Sequence, residues 1–174
     1  MRTIGVAIPI PEPWSVQLQR FREAIDDPMA SHIPPHITLV PPVDLAPAVA
    51  AEVLHHLERA AGSVEPFDVH LRGTGTFRPL SPVVFIALAE GISGCEQLER
   101  TVRSGPLGVD LTYPYHPHVT VAHDVDEAVL DRAFTELADF EARFTVDSFM
   151  LYVHDDSAGW VPTRTFDLRT TVAR

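Results

Sequence analysis

The 174-residue sequence contains no lysine; all 13 of its lysine-plus-arginine cations are arginine. A P-loop is thereby excluded, because that loop sets a lysine on the nucleotide phosphates. Any mechanism built on a lysine nucleophile is excluded too, including nucleotidyl transfer through a lysine adduct and Schiff-base chemistry. Positive charge is scarce overall: 24 acidic side chains leave a formal net charge of −11. Proteins that coat long nucleic acid by charge carry a basic stripe and a high pI. Long nucleic acid is therefore not an expected partner, and only a local arginine patch could serve one. The single cysteine, Cys95, allows no internal disulfide, and no Cys/His spacing of the zinc type occurs. No cationic-then-apolar leader opens the sequence, and no apolar run approaches the ~20 residues of a membrane helix. The expectation is a cytoplasmic protein without a membrane partner. What is present is the apolar mass of one ordinary domain, 45% of residues, punctuated by 16 prolines.

The pattern along the chain alternates strands and helices. Residues 3–10 read as a buried strand ended by Pro11 and Pro13. Trp14, Val16, Leu18, Phe21 and Ile25 draw an imperfect helical stripe. The segment Ser31-His32-Ile33-Pro34-Pro35 cannot be helical, since a residue before proline is pushed to extended geometry. A short strand is predicted from His36 to Val40, closed by Pro41-Pro42, with Asp44 as N-cap of a helix over 46–61 that ends at Gly62. Residues 66–77 and 83–89 read as an antiparallel pair, and 93–103 as a helix stopped by Gly105-Pro106. The pattern then restarts: an extended Tyr113-Pro114-Tyr115-His116-Pro117, a short strand from His118 to Ala122, and a helix over 126–139. Strands at about 143–153 and 160–169 follow, around the loop 155–159.

The restart has the form of an internal repeat. Units of about 1–90 and 91–174 each carry a proline-led His-x-Thr tripeptide on a short strand before a helix: His36-Ile37-Thr38 and His118-Val119-Thr120. No Gly/Ser-rich or charged linker divides them. The expected fold is α+β: one bilobal domain over 1–174, with two similar lobes of antiparallel sheet and flanking helices around a central cleft.

Successive strand side chains point to opposite faces. His36 and Thr38 therefore share one face while Ile37 and Leu39 pack inward, and His118 and Thr120 share a face opposite Val119 and Val121. One such tripeptide is weak evidence; two in equivalent places are hard to explain by packing. An imidazole with a pKa near 6.5 can act as base or acid close to neutrality. A threonine hydroxyl both donates and accepts, which suits a phosphate oxygen. Two such pairs facing each other would grip a phosphodiester, one histidine taking a proton from the attacking oxygen and the other giving one to the leaving oxygen. No metal and no cofactor are required. The half-sites look alike, and the pattern assigns neither the acid nor the base.

These residues resemble the two-histidine (2H) phosphoesterase superfamily in its bacterial 2′-5′ RNA ligase-like branch. The resemblance rests on Pro34-Pro35-His36-Ile37-Thr38-Leu39 and Tyr115-His116-Pro117-His118-Val119-Thr120-Val121. It extends to Gly75-Thr76-Phe77 before the strand from Val83 to Leu88, and to the terminal Leu151-Tyr152, Gly159-Trp160 and Phe166-Asp167-Leu168. It implies two lobes around a cleft, His36 and His118 as catalytic acid and base, and Thr38 and Thr120 as the phosphate-holding hydroxyls. It implies a phosphodiesterase acting on 2′,3′-cyclic phosphates of RNA ends or small nucleotides, or on 2′-5′ linkages, with ligation as the reverse reaction. Members acting on RNA often carry basic surface around the cleft; here cations near the motifs are few, which favours a nucleotide or an RNA terminus over long RNA.

Other residues admit two readings each. Tyr113, Tyr115, Phe77 and Trp160 could stack a base or pack between lobes. Arg78 and Arg164 could contact phosphate or lie on the surface. His116 and His118 with a further ligand could form a metallohydrolase cluster, although strand alternation sets His123 on the other face. His32, His55, His56 and His70 read as surface or partly buried positions, and Cys95 as structural. A non-catalytic nucleotide or RNA-end binder is the alternative to an enzyme.

Overall fold

The computed structural model describes residues 2–169, and within them eight strands form two four-stranded antiparallel sheets, each of which draws on both halves of the chain. The order of elements is β1 (Arg2–Pro9), α1 (Trp14–Ala24), β2 (His36–Leu45), α2 (Ala50–Ala61), β3 (Phe67–Thr76), β4 (Val83–Glu90) and α3 (Ile92–Val102). It continues with β5 (Val119–His123), α4 (Glu127–Glu136), β6 (Glu141–Val146), β7 (Ser148–Asp155) and β8 (Gly159–Asp167). One sheet runs β2-β1-β7-β8 and the other β5-β4-β3-β6. The two motif strands, β2 and β5, are thus the edge strands of their sheets, and they meet each other. This is the expected α+β architecture of two antiparallel sheets with flanking helices.

The core follows from alternation and helical periodicity. Ile4, Val6 and Ile8 point inward from β1, Ile37 and Leu39 from β2, and Val119 and Val121 from β5. Helix α2 buries Val53, Leu57, Ala60 and Ala61, spaced as one face of a 3.6-residue repeat. Helix α3 buries Cys95, Leu98 and Val102 in the same way and packs on α2, β2 and β3. Helix α4 covers β3, β4 and β5.

Several local expectations are corrected. Pro41 and Pro42 do not close β2, which runs on to Leu45. An edge strand needs no hydrogen-bond donor on its free side, so proline is tolerated there. The β1–β2 register shifts between Ile4↔Val43 and Val6↔Val40, where the two prolines lie opposite Gly5. Asp44 caps no helix; it lies in β2 and accepts a hydrogen bond from the Thr3 hydroxyl, while Pro47–Val49 form a 3₁₀ turn ahead of α2. The single strand expected over 143–153 is two strands, broken at Asp147: β6 pairs with β3 in one sheet and β7 with β1 in the other. Hydrophobic periodicity reads one strand at a time and carries no record of a change of sheet.

Candidate active site

Strand β2 presents His36 and Thr38 half-buried between the fully buried Ile37 and Leu39. They stand opposite Pro9 and Ala7 of β1. Strand β5 repeats the arrangement, with Val119 and Val121 buried, Thr120 half-buried opposite Phe85, and His118 immediately before the strand. The segment leading into β5 is fastened to the other motif, since the Tyr115 hydroxyl donates to the Thr38 carbonyl at 2.9 Å. Burial pushes the Tyr115 phenol upward in pKa, so it stays a donor.

Both imidazoles are oriented by the same local device. His36 Nδ1 lies 2.8 Å from the carbonyl of Pro34, and His118 Nδ1 lies 2.6 Å from the carbonyl of His116. A carbonyl only accepts, so Nδ1 carries the proton in each ring and Nε2 of the neutral ring keeps its lone pair. Burial lowers both histidines. His36 falls to about 4, its desolvation aided by the charge of Arg22 and by His118. His118 is lowered by desolvation and also by the charge of His116, against the hydrogen bond it donates to the His116 carbonyl, which raises it. Arg22, buried on α1, is held by Asp27 at 3.1 Å and donates to the Ile33 carbonyl at 2.7 Å, which fixes the loop that delivers Pro34, Pro35 and His36.

The surroundings of the two rings differ. His36 opens on a small cavity of about 120 Å³ walled by Gly5, Ile33, Tyr152 and Trp160. Trp160 is seated by its backbone N–H, which donates to the His32 carbonyl at 2.8 Å, and its indole lies over Gly5. His118 opens on a cavity of about 610 Å³ lined by Phe77, Leu80, Asp110, Tyr113 and Tyr115 among others. Thr38 lines both. Phe77 meets the His118 ring edge-on at 4.9 Å, and Phe85 lies 5.3 Å from it. Gly75 makes room for Phe85, because a Cβ there would come within 2.5 Å of that ring.

Of the residues singled out from sequence, His36, Thr38, His118, Tyr115, Phe77 and Trp160 line one or both cavities. Thr120 lines neither and pairs with Phe85 across β4 and β5. Arg78 is engaged elsewhere: it donates to Glu127 at 2.7 Å and Asp131 at 2.8 Å, and to the Thr76 hydroxyl. Arg164 pairs with Glu58 and lies over the Phe166 ring. His56 and His70, expected at or near the surface, are buried. His56 donates through Nε2 to the Val102 carbonyl at 2.9 Å, and His70 lies 2.7 Å from Glu141. Cys95 is buried, which pushes its thiol up to about 12. His123 faces Asp124, and among the described residues no three His, Cys, Asp or Glu side chains converge as a metal ligand set. Sequence patterning missed Arg22, Tyr152, Leu80 and Asp110. None of them stands in a spacing with the motif histidines that patterning reads, although Asp110 precedes His118 closely along the chain.

The sequence matches the 2′-5′ RNA ligase superfamily over residues 10–158. It is 31% identical over 144 residues to a protein of Bacillus pumilus named “Putative phosphoesterase”, covering 82% of this chain and 84% of that one. It is 28% identical over 146 residues to a protein of the same name from Oceanobacillus iheyensis, covering 82% and 84%. The fold is similar to that of Escherichia coli LigT in its apo form, with a TM-score of 0.71 at 22% identity over 97% of this chain and 98% of the other. LigT has also been solved in complex with 3′-AMP and with phosphate.

Proposed function

The chain belongs to the 2′-5′ RNA ligase superfamily, and on that premise we propose that it is a phosphodiesterase that opens nucleoside 2′,3′-cyclic phosphates by two-histidine acid–base catalysis. The observation that carries this reading is the matched tethering of His36 and His118. Each has Nδ1 on the carbonyl two residues upstream, which leaves Nε2 for proton transfer. Thr38, which lines both cavities, is the phosphate contact, and Thr120, which lines neither, is its counterpart on β5 by motif alone.

The unequal cavities suggest a division of roles. A water fits the small space beside His36, and a nucleoside needs the larger one beside His118. In this reading His36 Nε2 takes a proton as a water oxygen bonds to phosphorus. The bond from phosphorus to the ribose oxygen breaks, and that oxygen takes the proton from His118 Nε2. Burial holds His36 neutral, as a base must be. His118 must be protonated, and the phosphate's negative charge favours its cationic form once substrate binds. Phe77, Tyr115 and Trp160 are the candidate aromatic contacts. The complexes of LigT with 3′-AMP and phosphate fit a nucleotide ligand here. Ligation of a 5′-hydroxyl to a cyclic phosphate is the same path with that hydroxyl in place of water.

The test is hydrolysis of 2′,3′-cyclic nucleotides by the purified protein, followed by chromatography with and without EDTA. Turnover indifferent to EDTA supports the reading. Binding without turnover would leave a non-catalytic nucleotide binder. Activity abolished by EDTA and restored by zinc would replace the reading with a metallohydrolase centred on His116 and His118.

A further inference from the structure

The cavity beside His118 has a wall whose chemistry is specific. Its lining includes the two most exposed large apolar side chains among the described residues, Leu80 at 77% and Tyr113 at 62%. They sit on separate loops, one between β3 and β4 and one before β5, and both line the same cavity as His118 and Thr38. The exposed ring of Tyr113 suits stacking on a planar base, and base-on-aromatic stacking tolerates any base.

The lining includes one carboxylate, that of the solvent-exposed Asp110. Its carboxylate has no hydrogen-bond or ion-pair partner among the described residues. The loop that presents it is built to hold position. Arg103 pairs with the buried Glu99 of α3 and donates to the carbonyl of Val109, the residue before Asp110, at 2.6 Å. Among the described residues no arginine lines either cavity, so none of their guanidinium groups neutralises Asp110 or awaits a second phosphate there.

We propose that this cavity is a base-reading subsite in which Asp110 selects guanine, so that the substrate class is guanosine 2′,3′-cyclic phosphates, free or at the end of a short RNA. The inference rests on the phosphodiesterase reading, because the ribose tethers the base to the phosphate held at Thr38. Asp110 carries only acceptors when ionised. Guanine presents two adjacent donors on its Watson–Crick edge, N1–H and the N2 amino group, which a carboxylate can accept together. Adenine and cytosine place a ring-nitrogen acceptor beside their single amino donor, and uracil flanks its one N–H with two carbonyls. Each of these turns a lone pair toward the carboxylate. Charge-assisted pairs of this kind are strong, so a base that turns a lone pair toward the carboxylate forfeits that contact.

The experiment compares kcat/KM for the four 2′,3′-cyclic nucleotides in the wild type, Asp110→Ala and Tyr113→Ala. Calorimetric binding of guanosine and adenosine 2′-monophosphate is measured in parallel. The wild type is expected to prefer guanosine over adenosine by at least about tenfold in both measurements. Asp110→Ala should collapse that ratio toward one. Tyr113→Ala should weaken all four nucleotides by a similar factor, on the order of tenfold, and keep the ratio. A ratio is insensitive to a general loss of active protein. A wild-type ratio near one, or a ratio unchanged in Asp110→Ala, overturns the proposal. Guanosine-selective binding with no turnover of any cyclic nucleotide would keep the subsite and overturn the catalytic reading instead.

Discussion

The Tyr115 hydroxyl donates to the main-chain carbonyl of Thr38 at 2.9 Å, so the segment that delivers His118 is bonded to the strand that delivers His36. Two motifs that lie far apart in sequence share one spacer. Thr38 stands on an edge strand, and Tyr115 reaches it from the loop ahead of β5.

Tyr115→Phe keeps the ring and removes that bond. The half-buried hydroxyl gives a net loss of about 1 kcal/mol if water reaches the freed carbonyl, and up to ~3 kcal/mol if it does not. We expect a lower Tm and a kcat that falls more than the stability change alone would cause, because the separation of the two imidazoles loosens. Thermal denaturation alongside steady-state kinetics checks this. An unchanged kcat would show that the spacer does not govern catalytic geometry.

His36→Ala and His118→Ala should each lower kcat by roughly 10²–10⁴-fold, the usual worth of one general acid or base. The double variant should lose less than the sum of the two in free energy, since the residues act as a unit. Circular dichroism should show the fold retained. Most of the activity surviving in either single variant would remove that residue from the mechanism.

The lowered histidines set two pH dependences of opposite sign. For stability, His36 titrates near 6.5 when unfolded and near 4 when folded. Between those values the unfolded chain binds more protons, so stability is full above about pH 6.5 and declines as pH falls toward 4. Urea midpoints across this range should show a shallower acid decline in His36→Gln. For binding, an anion favours the protonated form of His118, whose free pKa lies below its ordinary value. Affinity for a 2′-phosphonucleotide should therefore weaken as pH rises from that low value through the higher one of the complex. Calorimetry on wild type and His118→Ala separates this slope from the ligand's own titration. Affinity that rises with pH would contradict the assignment.

Gly75→Ala is a packing test of the aromatic support beneath His118. The added Cβ would sit 2.5 Å from the buried Phe85 ring, so the ring must move. Overpacking of this kind costs about 1–3 kcal/mol. Because Phe85 lies against both His118 and Phe77, we expect kcat to fall along with stability. A variant of normal activity and lower Tm would show that His118 is placed independently of that ring.

Composition, alternation and the doubled His-x-Thr motif were enough to read the α+β class, the inward Ile37, Leu39, Val119 and Val121, and the outward His36, Thr38 and His118. These properties are local: they depend on the two-residue period of a strand and on the chemistry of a tripeptide. The strand order was not legible, because β6 and β7 follow each other with only Asp147 between them yet enter different sheets. Nor could the sequence show that Arg78 is taken by Glu127 and Asp131, that His70 is buried beside Glu141, or that Asp110 and Leu80 line one cavity. Each of those facts joins residues from separate elements. The joining is done by sheet order and helix packing, which depend on how whole apolar faces fit together. The sequence by itself singled out the side chains whose chemistry suits a phosphodiester. The tertiary structure decided which of them meet, and made a near-symmetric pair of histidines unequal by setting a small cavity beside one and a large one beside the other.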